Sequence, residues 1–240
     1  MKKIVVFTGA GMSADSGLAT FRGGNGLWAS YRIEDVCRPE ALVNNRKMVI
    51  EFYNTRRREM LEAQPNAGHR AIAALGIDKN VDLQIITQNI DNLHERAGEE
   101  IGVDRPILHL HGELTKLRSS QDQEAIVPLD GWRQKLEARH DDGSLLRPFV
   151  VFFGESVPLL PKAIEIVAQA DIMIIVGTSL SVYPAAYLVD YLPRRAPIYV
   201  VDPGPLPVHE MGNTVVHYQE NSAQGLPMLV ERLRQECAQG

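Results

Sequence analysis

Three short stretches hold the side chains with chemistry to offer. His109-Leu110-His111-Gly112 supplies two imidazoles, and a histidine of ordinary pKa is the natural general base near neutral pH. At alternating spacing on an extended run, one of the two could be buried and the other a metal ligand. Gln88-Asn89-Ile90-Asp91 places two amides and a carboxylate directly after an apolar run. An Asn/Asp pair there serves equally well as a turn or a helix cap. Val5-Val6-Phe7-Thr8-Gly9-Ala10-Gly11-Met12-Ser13-Ala14 runs from a strand through Gly-x-Gly-x-x-Ala into a helix start, the order of a dinucleotide-binding fingerprint. Gly9 permits the tight turn, Gly11 lets backbone approach a pyrophosphate, and Ala14 lets helix and strand pack closely. The helix start would add free N–H groups and a positive dipole end. The same small residues also suit a structural β-α turn with no ligand. A plain dinucleotide unit would then run its helix into a second strand. Here residues 17–28 are glycine-studded without strand period, which reads as a flexible cover over a bound cofactor.

To hold these groups the chain must alternate strands and helices. Strands are expected at residues 4–7, 83–87, 107–110, 172–176, 198–201 and 215–217, with 150–153 extended. Helices are expected over 39–62 with a break near Asn44-Asn45, from Pro65-Asn66 through Leu75, over 161–169 and 185–192, and from about Leu226. The pattern predicts an α/β fold, a doubly wound, Rossmann-like parallel sheet with helices on both faces. Gly9, Gln88-Asn89, Gly177-Thr178 and Asp202 fall at carboxyl ends of its strands, where such sheets bind ligands. Two insertions interrupt the alternation. They divide a single domain of residues 1–240 into a Rossmann-like part (about 1–29, 76–112 and 148–240) and a smaller module (about 30–75 and 113–147).

Composition narrows the function classes. The chain is 45% hydrophobic and 23% charged, ordinary for a soluble domain. Its net charge of −5 argues against nucleic acid as a partner, which needs a basic face. No apolar run is long enough to span a membrane, and Met1-Lys2-Lys3 leads into too short an apolar stretch for a signal peptide. Cys37 and Cys237 provide no disulfide framework and fit a reducing, cytoplasmic compartment. Nothing in the sequence sets an oligomeric state.

Residues 9–28, GAGMSADSGLATFRGGNGLW, closely resemble the cofactor-binding signature of the sirtuins, the NAD-dependent protein deacylases. Gln88-Asn89-Ile90-Asp91 resembles the family's Gln-Asn-Ile-Asp segment and His111-Gly112 its His-Gly. Gly177-Thr178-Ser179, followed by Val182-Tyr183-Pro184-Ala185-Ala186, resembles its Gly-Thr-Ser and Val-x-Pro-Ala-Ala segments, all in the family's order. The resemblance implies NAD as cofactor and acyl-lysine proteins or peptides as partners. Gly9, Ala10, Gly11 and Ser16 would lie along the cofactor. Phe21 would cover the ribose face vacated by nicotinamide, and Arg22 would steer the pyrophosphate. His111 would deprotonate a ribose hydroxyl, activating the 2′-OH after the acyl oxygen has displaced nicotinamide. Gln88 and Asn89 would hold the nicotinamide ribose, Asn89 also placing water. Asp91 and the Ile90 backbone would bind the carboxamide, twisted out of conjugation. Gly177, Thr178 and Ser179 would meet phosphate or ribose, and Ser222-Ala223 the adenine side. Val151, Phe152, Phe153, Gly154 and Glu155, with Ser181-Val182-Tyr183, would sandwich an extended peptide by β-augmentation. Since nicotinamide leaves an oxocarbenium-like sugar, such a site must exclude water and position a weak amide nucleophile.

The chain also departs from the family. Most sirtuins carry two Cys-x-x-Cys pairs that bind a structural zinc, yet residues 112–147 contain no cysteine. His140, Asp141 and Asp142 read as solvated turn residues, so no metal is expected. Apolar residues of the stretch from Ala125 to Leu136, including Ile126 and Trp132, are expected to replace the metal with a small packed core. Asp202 stands where the family usually has Asn, and either can accept from ribose hydroxyls. Tyr53 and Arg56 resemble the Tyr-x-x-Arg pair of sirtuins that prefer succinyl- and malonyl-lysine. Three apart on a helix they share a face, with Arg57 and Arg58 expected as solvated surface. Cys37 falls where those enzymes carry a small residue that widens the acyl tunnel. The reading is an NAD-dependent protein-lysine deacylase taking acidic acyl groups as well as, or in preference to, acetyl. A sirtuin-fold ADP-ribosyltransferase or NAD glycohydrolase is the alternative within the fold. A non-catalytic NAD or ADP-ribose-binding module is the alternative outside enzymes, and intact Asn89, Asp91 and His111 speak against it.

Overall fold

The computed structural model describes residues 1–20, 31–205 and 212–239. In chain order the strands are β1 (Lys2–Thr8), β2 (Val81–Thr87), β3 (Ile107–His109), β4 (Gly112–Ser119), β5 (Ile126–Pro128), β6 (Leu146–Val150), β7 (Ile172–Val176), β8 (Ile198–Val201) and β9 (Val215–Tyr218). The α-helices are α1 (Ile33–Val36), α2 (Pro39–Asn44), α3 (Arg46–Glu62), α4 (Ala67–Leu75), α5 (Leu93–Glu99), α6 (Leu160–Val167) and α7 (Ser222–Gln239). Two 3-10 helices, Ala10–Ser16 and Ala185–Tyr191, complete the described elements.

Six strands form a parallel sheet in the order β3-β2-β1-β7-β8-β9. The order reverses between β1 and β7, so their carboxyl ends part and leave a crevice. Every residue of β7 is buried, as a central strand covered on both faces requires. Ile4, Val6, Ile72, Leu75, Leu226 and Leu229 pack one face of the sheet against α4 and α7. Val5, Phe7, Ile175, Val167 and Leu188 pack the other face against α6 and the second 3-10 helix.

The turn after β1 departs from expectation in two ways. It is a seven-residue 3-10 helix, and Ala14 is exposed on it, while Met12 makes the buried contact with the sheet. Close packing in this turn rests on Gly11 and Gly177 instead. A Cβ on Gly11 would lie 2.6 Å from the Gly177 Cα, and Gly177 has φ +57. The Met12 carbonyl accepts from both Asn66 Nδ2 (2.9 Å) and Ser222 Oγ (3.0 Å), pinning the turn to the starts of α4 and α7. α7 begins at Ser222, ahead of the expected Leu226, because Asp15 Oδ2 accepts from the Ala223 N–H at 3.0 Å.

β4, β5 and β6 form a separate antiparallel sheet in the order β5-β4-β6, spanning the second insertion. Gly112 turns the chain from one sheet into the other. Its φ is +84, and a Cβ there would lie 2.1 Å from the Phe149 carbonyl oxygen. Leu114 and Val150 of this sheet pack with Val49, Phe52 and Tyr53 of α3.

The region from 120 to 145 is held by polar groups. Ile126, Trp132 and Leu136 are exposed, which overturns the expected apolar core. Ser119 Oγ donates to Asp142 Oδ2 (2.7 Å) and accepts the Gln121 and Asp122 N–H groups, while Gln134 Nε2 donates to the Leu146 carbonyl (2.8 Å). Asp142 sits in an exposed turn, as expected, and from there it also fastens the module through Ser119. Arg57, by contrast, is misplaced by sequence reasoning. It is wholly buried, donating from Nε to the Leu114 carbonyl (2.7 Å) and from Nη1 to Asn54 Oδ1 (3.0 Å), and so ties α3 to β4. Arg58 is exposed, with its guanidinium over the Trp132 ring.

Candidate active site

A cavity of about 450 Å³ opens at the β1/β7 crevice and runs under α3 and the loop after β6. Gly9, Ala10, Gly11, Gly177, Thr178, Ser179 and Asp202 line one side of it. Gln88, Asn89, Ile90 and His111 line its middle. Tyr53, Arg56, Cys37, Val151, Phe153, Gly154, Glu155 and Val182 line the rest. Thus strand ends of the large sheet meet the first helix-borne side chains of the small module in one space. Ser16, Asp91 and Ala223 do not line the cavity. Ser16 Oγ accepts from Asn66 Nδ2, and the Ala223 N–H is committed to Asp15, whereas Asn221 and Ser222 do reach the cavity. Phe21 and Arg22 lie outside the described residues.

Local folding explains how each central group is presented. Gln88 follows β2, its N–H bonded to the Thr8 carbonyl, and its Nε2 reaches Thr178 Oγ1 (3.0 Å) across the crevice. The Asn89 N–H donates to Thr87 Oγ1 (3.0 Å) and its Nδ2 to Ser13 Oγ (3.1 Å), while its Oδ1 has no partner among the described residues. Ser13 in turn donates to Asp91 Oδ2 (2.9 Å). Asp91 is buried one layer below and also accepts the Leu93 N–H two residues on (3.2 Å), so the turn reading and a place beside the site both apply. Burial raises the Asp91 pKa, against the Leu93 N–H and the Ser13 hydroxyl.

His111 stands between the two sheets with Nδ1 3.1 Å from the Gln88 carbonyl. That carbonyl fixes the hydrogen on Nδ1, leaving Nε2 as the basic nitrogen. Burial lowers its pKa, only partly offset by the Gln88 carbonyl, so the ring is neutral at pH 7. Its neighbour His109 is buried and paired with Glu95, an arrangement sequence reasoning missed because the partner is 14 residues away.

At the module end Tyr53 is buried with its hydroxyl 3.3 Å from Cys37 Sγ. Burial pushes the Cys37 thiol up to about 11, so it stays protonated. The Tyr53 ring stacks on Phe152 at 5.7 Å, and the Arg147 guanidinium covers Phe152 from 4.1 Å. Arg56 is half-buried and ion-paired with Glu59, and burial lowers its pKa. Glu155 accepts from Arg147 Nη1 (2.6 Å), from Arg118 Nη2 (3.3 Å) and from the Phe152 N–H (2.7 Å). Its carboxylate therefore anchors the loop after β6. Among the described residues no three His, Cys, Asp or Glu side chains converge as a metal site.

The donor set suits a dinucleotide. Asp202 spends Oδ1 on the Gly204 N–H (2.8 Å) and leaves its other oxygen without a partner among the described residues, while Asn89 Oδ1 is likewise unspent. A parallel sheet with such a crevice at its switch point, an amide-rich centre and a neutral histidine define a dinucleotide-dependent enzyme of the Rossmann-like class. The Sir2 family profile matches residues 9–184, and the chain belongs to that family. It is 53% identical over 206 residues to a protein of Aggregatibacter actinomycetemcomitans named NAD-dependent protein deacylase, spanning 85% of this chain and 95% of that one. A Sir2 homologue mutant in complex with ADP-ribose superposes with TM-score 0.88 at 34% identity, covering 100% of this chain and 94% of the other. A Sir2 homologue in complex with NAD superposes with TM-score 0.82 at 35% identity, covering 98% and 91%.

Proposed function

We propose that this protein removes acyl groups from protein lysine in an NAD-dependent reaction, and that it takes succinyl- and malonyl-lysine in preference to acetyl-lysine. NAD, when bound, supplies a ribose whose bond to nicotinamide can be exchanged for a bond to the acyl oxygen. Residues at the crevice (Gly9, Ala10, Gly11, Gly177, Thr178, Ser179 and Asp202) would hold its phosphate and adenosine side. Asn89 Oδ1 can accept from a ribose hydroxyl or hold a water. Asp91, through Ser13, keeps the Asn89 amide oriented. The neutral His111 can take a hydroxyl proton at Nε2, and its burial keeps that nitrogen unprotonated at pH 7. The loop from Val151 to Glu155 and the segment at Val182 offer backbone on two sides of an extended peptide.

One observation carries the acyl preference: Tyr53 and Arg56 line the same cavity as Asn89 and His111. An acidic acyl chain brings a carboxylate into a space walled by Phe152 and Cys37, where it needs replacement for its water. Arg56 can share its fork between Glu59 and that carboxylate. The Cys37–Tyr53 contact lets either atom donate, so the phenolic hydrogen can turn to the same carboxylate. Peptides identical but for the acyl group test this. Succinyl- and malonyl-lysine should be turned over with higher kcat/KM than acetyl-lysine, and a preference for acetyl-lysine would overturn the preference while leaving the deacylase reading intact. Nicotinamide release without peptide would instead favour an NAD glycohydrolase.

A further inference from the structure

His109 closes β3 and is buried beneath Asn89. Its Nδ1 lies 2.9 Å from the Asn89 carbonyl oxygen and its Nε2 lies 2.7 Å from Glu95 Oε1. A carbonyl oxygen only accepts, so Nδ1 carries a hydrogen, and a carboxylate on the other side calls for a second hydrogen on Nε2. The Asn89 N–H is already held by Thr87, so the His109 contact completes a clamp on both sides of this residue. We propose that Glu95 and His109 are a positioning couple, holding the Asn89 carbonyl, and with it the cavity-lining side chain, while the ring is doubly protonated.

The charges around the ring are Glu95 on α5, Glu113 on β4 and Asp91 after β2, and the neighbouring His94 is neutral. Burial opposes the ring's charge, but the hydrogen bond and charge of Glu95, the Asn89 carbonyl and Glu113 hold its pKa above the usual histidine value. Glu95 is partly exposed and lines a second cleft of about 460 Å³, which gives the couple a route for protons. Once the ring loses a proton, the remaining hydrogen can serve Glu95 or Asn89 but not both. The carboxylate is the stronger acceptor. Nδ1 then turns a lone pair on the Asn89 carbonyl, and the clamp opens.

The inference rests on the deacylase reading for its kinetic readout but not for its spectroscopic one. Wild-type kcat on an acyl-lysine peptide is expected to fall along an alkaline limb. In Glu95→Gln the amide N–H can donate to Nε2 of a neutral ring whose Nδ1–H still serves Asn89. That variant should keep most of its rate at pH 7 and lose the limb. Glu95→Ala, with the ring untethered, should lose roughly tenfold in kcat with little change in KM, the scale of one hydrogen bond. A merely structural role would lower the melting temperature and leave the limb in place. Nitrogen-15 spectra of the His109 ring should show both nitrogens protonated at neutral pH in the wild-type protein, whichever substrate it turns over. A singly protonated ring, a wild-type profile without the limb, or a Glu95→Gln profile that retains it would overturn the proposal.

Discussion

On the proposed function, His111 carries the proton transfer and Arg56 the choice of acyl group. His111→Ala is expected to bind NAD as the wild type does and to lose about 10²–10⁴-fold in deacylation. Calorimetric NAD titration beside a turnover assay checks both halves, and near wild-type turnover would contradict the assignment. Because burial lowers the His111 pKa, the base stays neutral to lower pH than a free histidine. The acid limb of kcat/KM should therefore fall below the ordinary value of about 6.5, and a limb above it would count against this base. Charge-assisted hydrogen bonds contribute about 1.5–3 kcal/mol, so Arg56→Met should cut desuccinylation about 10–150-fold while sparing deacetylation. Equal loss of both activities would mean that Arg56 only packs α3. That Asn89, His111, Tyr53 and Arg56 meet at one cavity was legible in the sequence because their signals are local. Arg57 and the Glu95–His109 couple were not. Leu114 lies far along the chain from Arg57 and Glu95 lies 14 residues from His109, and neither a buried arginine nor a charged histidine leaves a pattern among its neighbours.

Among the elements, the small sheet is where sequence reading fell short, for a physical reason. Leu114 and Leu117 are both buried on β4 because the register shifts between Gly112 and Leu117, which replaces the two-residue alternation with a spacing of three. β6 hides for a different reason, since its buried positions include Arg147, neutralised by Glu155. The large sheet was readable strand by strand, as apolar runs buried on both faces are. That contrast yields a prediction for the loop after β6. Glu155→Gln leaves Arg147 buried without its anion, which should cost about 2–4 kcal/mol of stability and raise the KM for peptide. Thermal unfolding should fall by about 5–15 °C at this chain length. An unchanged melting temperature with unchanged KM would show that the loop does not depend on this carboxylate.

For the whole molecule, two buried histidines set the response to acid. Burial, with Arg70 adding a smaller push, lowers His69 to about 3, and burial, with His69 and His109 nearby, holds His94 well below the usual range. Both are neutral in the folded protein but protonate near pH 6.5 when unfolded, so their effect runs in one direction. Stability is lost as pH falls through the unfolded value, by about 1.4 kcal/mol per unit for each ring. His109 has the opposite sign: its raised pKa gives stability present below the unfolded value and lost as pH rises through the folded one. Urea unfolding should show about 2–3 kcal/mol less stability at pH 5.5 than at pH 7. His69→Gln should remove roughly a third to a half of that slope. A slope unaffected by the substitution would place the acid sensitivity elsewhere.

On the proposed function, one cavity joins NAD chemistry at Asn89 and His111 to an acyl-lysine held beneath Tyr53 and Arg56. The most direct measurement follows nicotinamide release from NAD with and without a succinyl-lysine peptide, quantifying the deacylated peptide in the same reaction. Release that depends on the peptide, with one nicotinamide formed per acyl group removed, is the predicted result. Release that proceeds equally without peptide, or none under either condition, would contradict it.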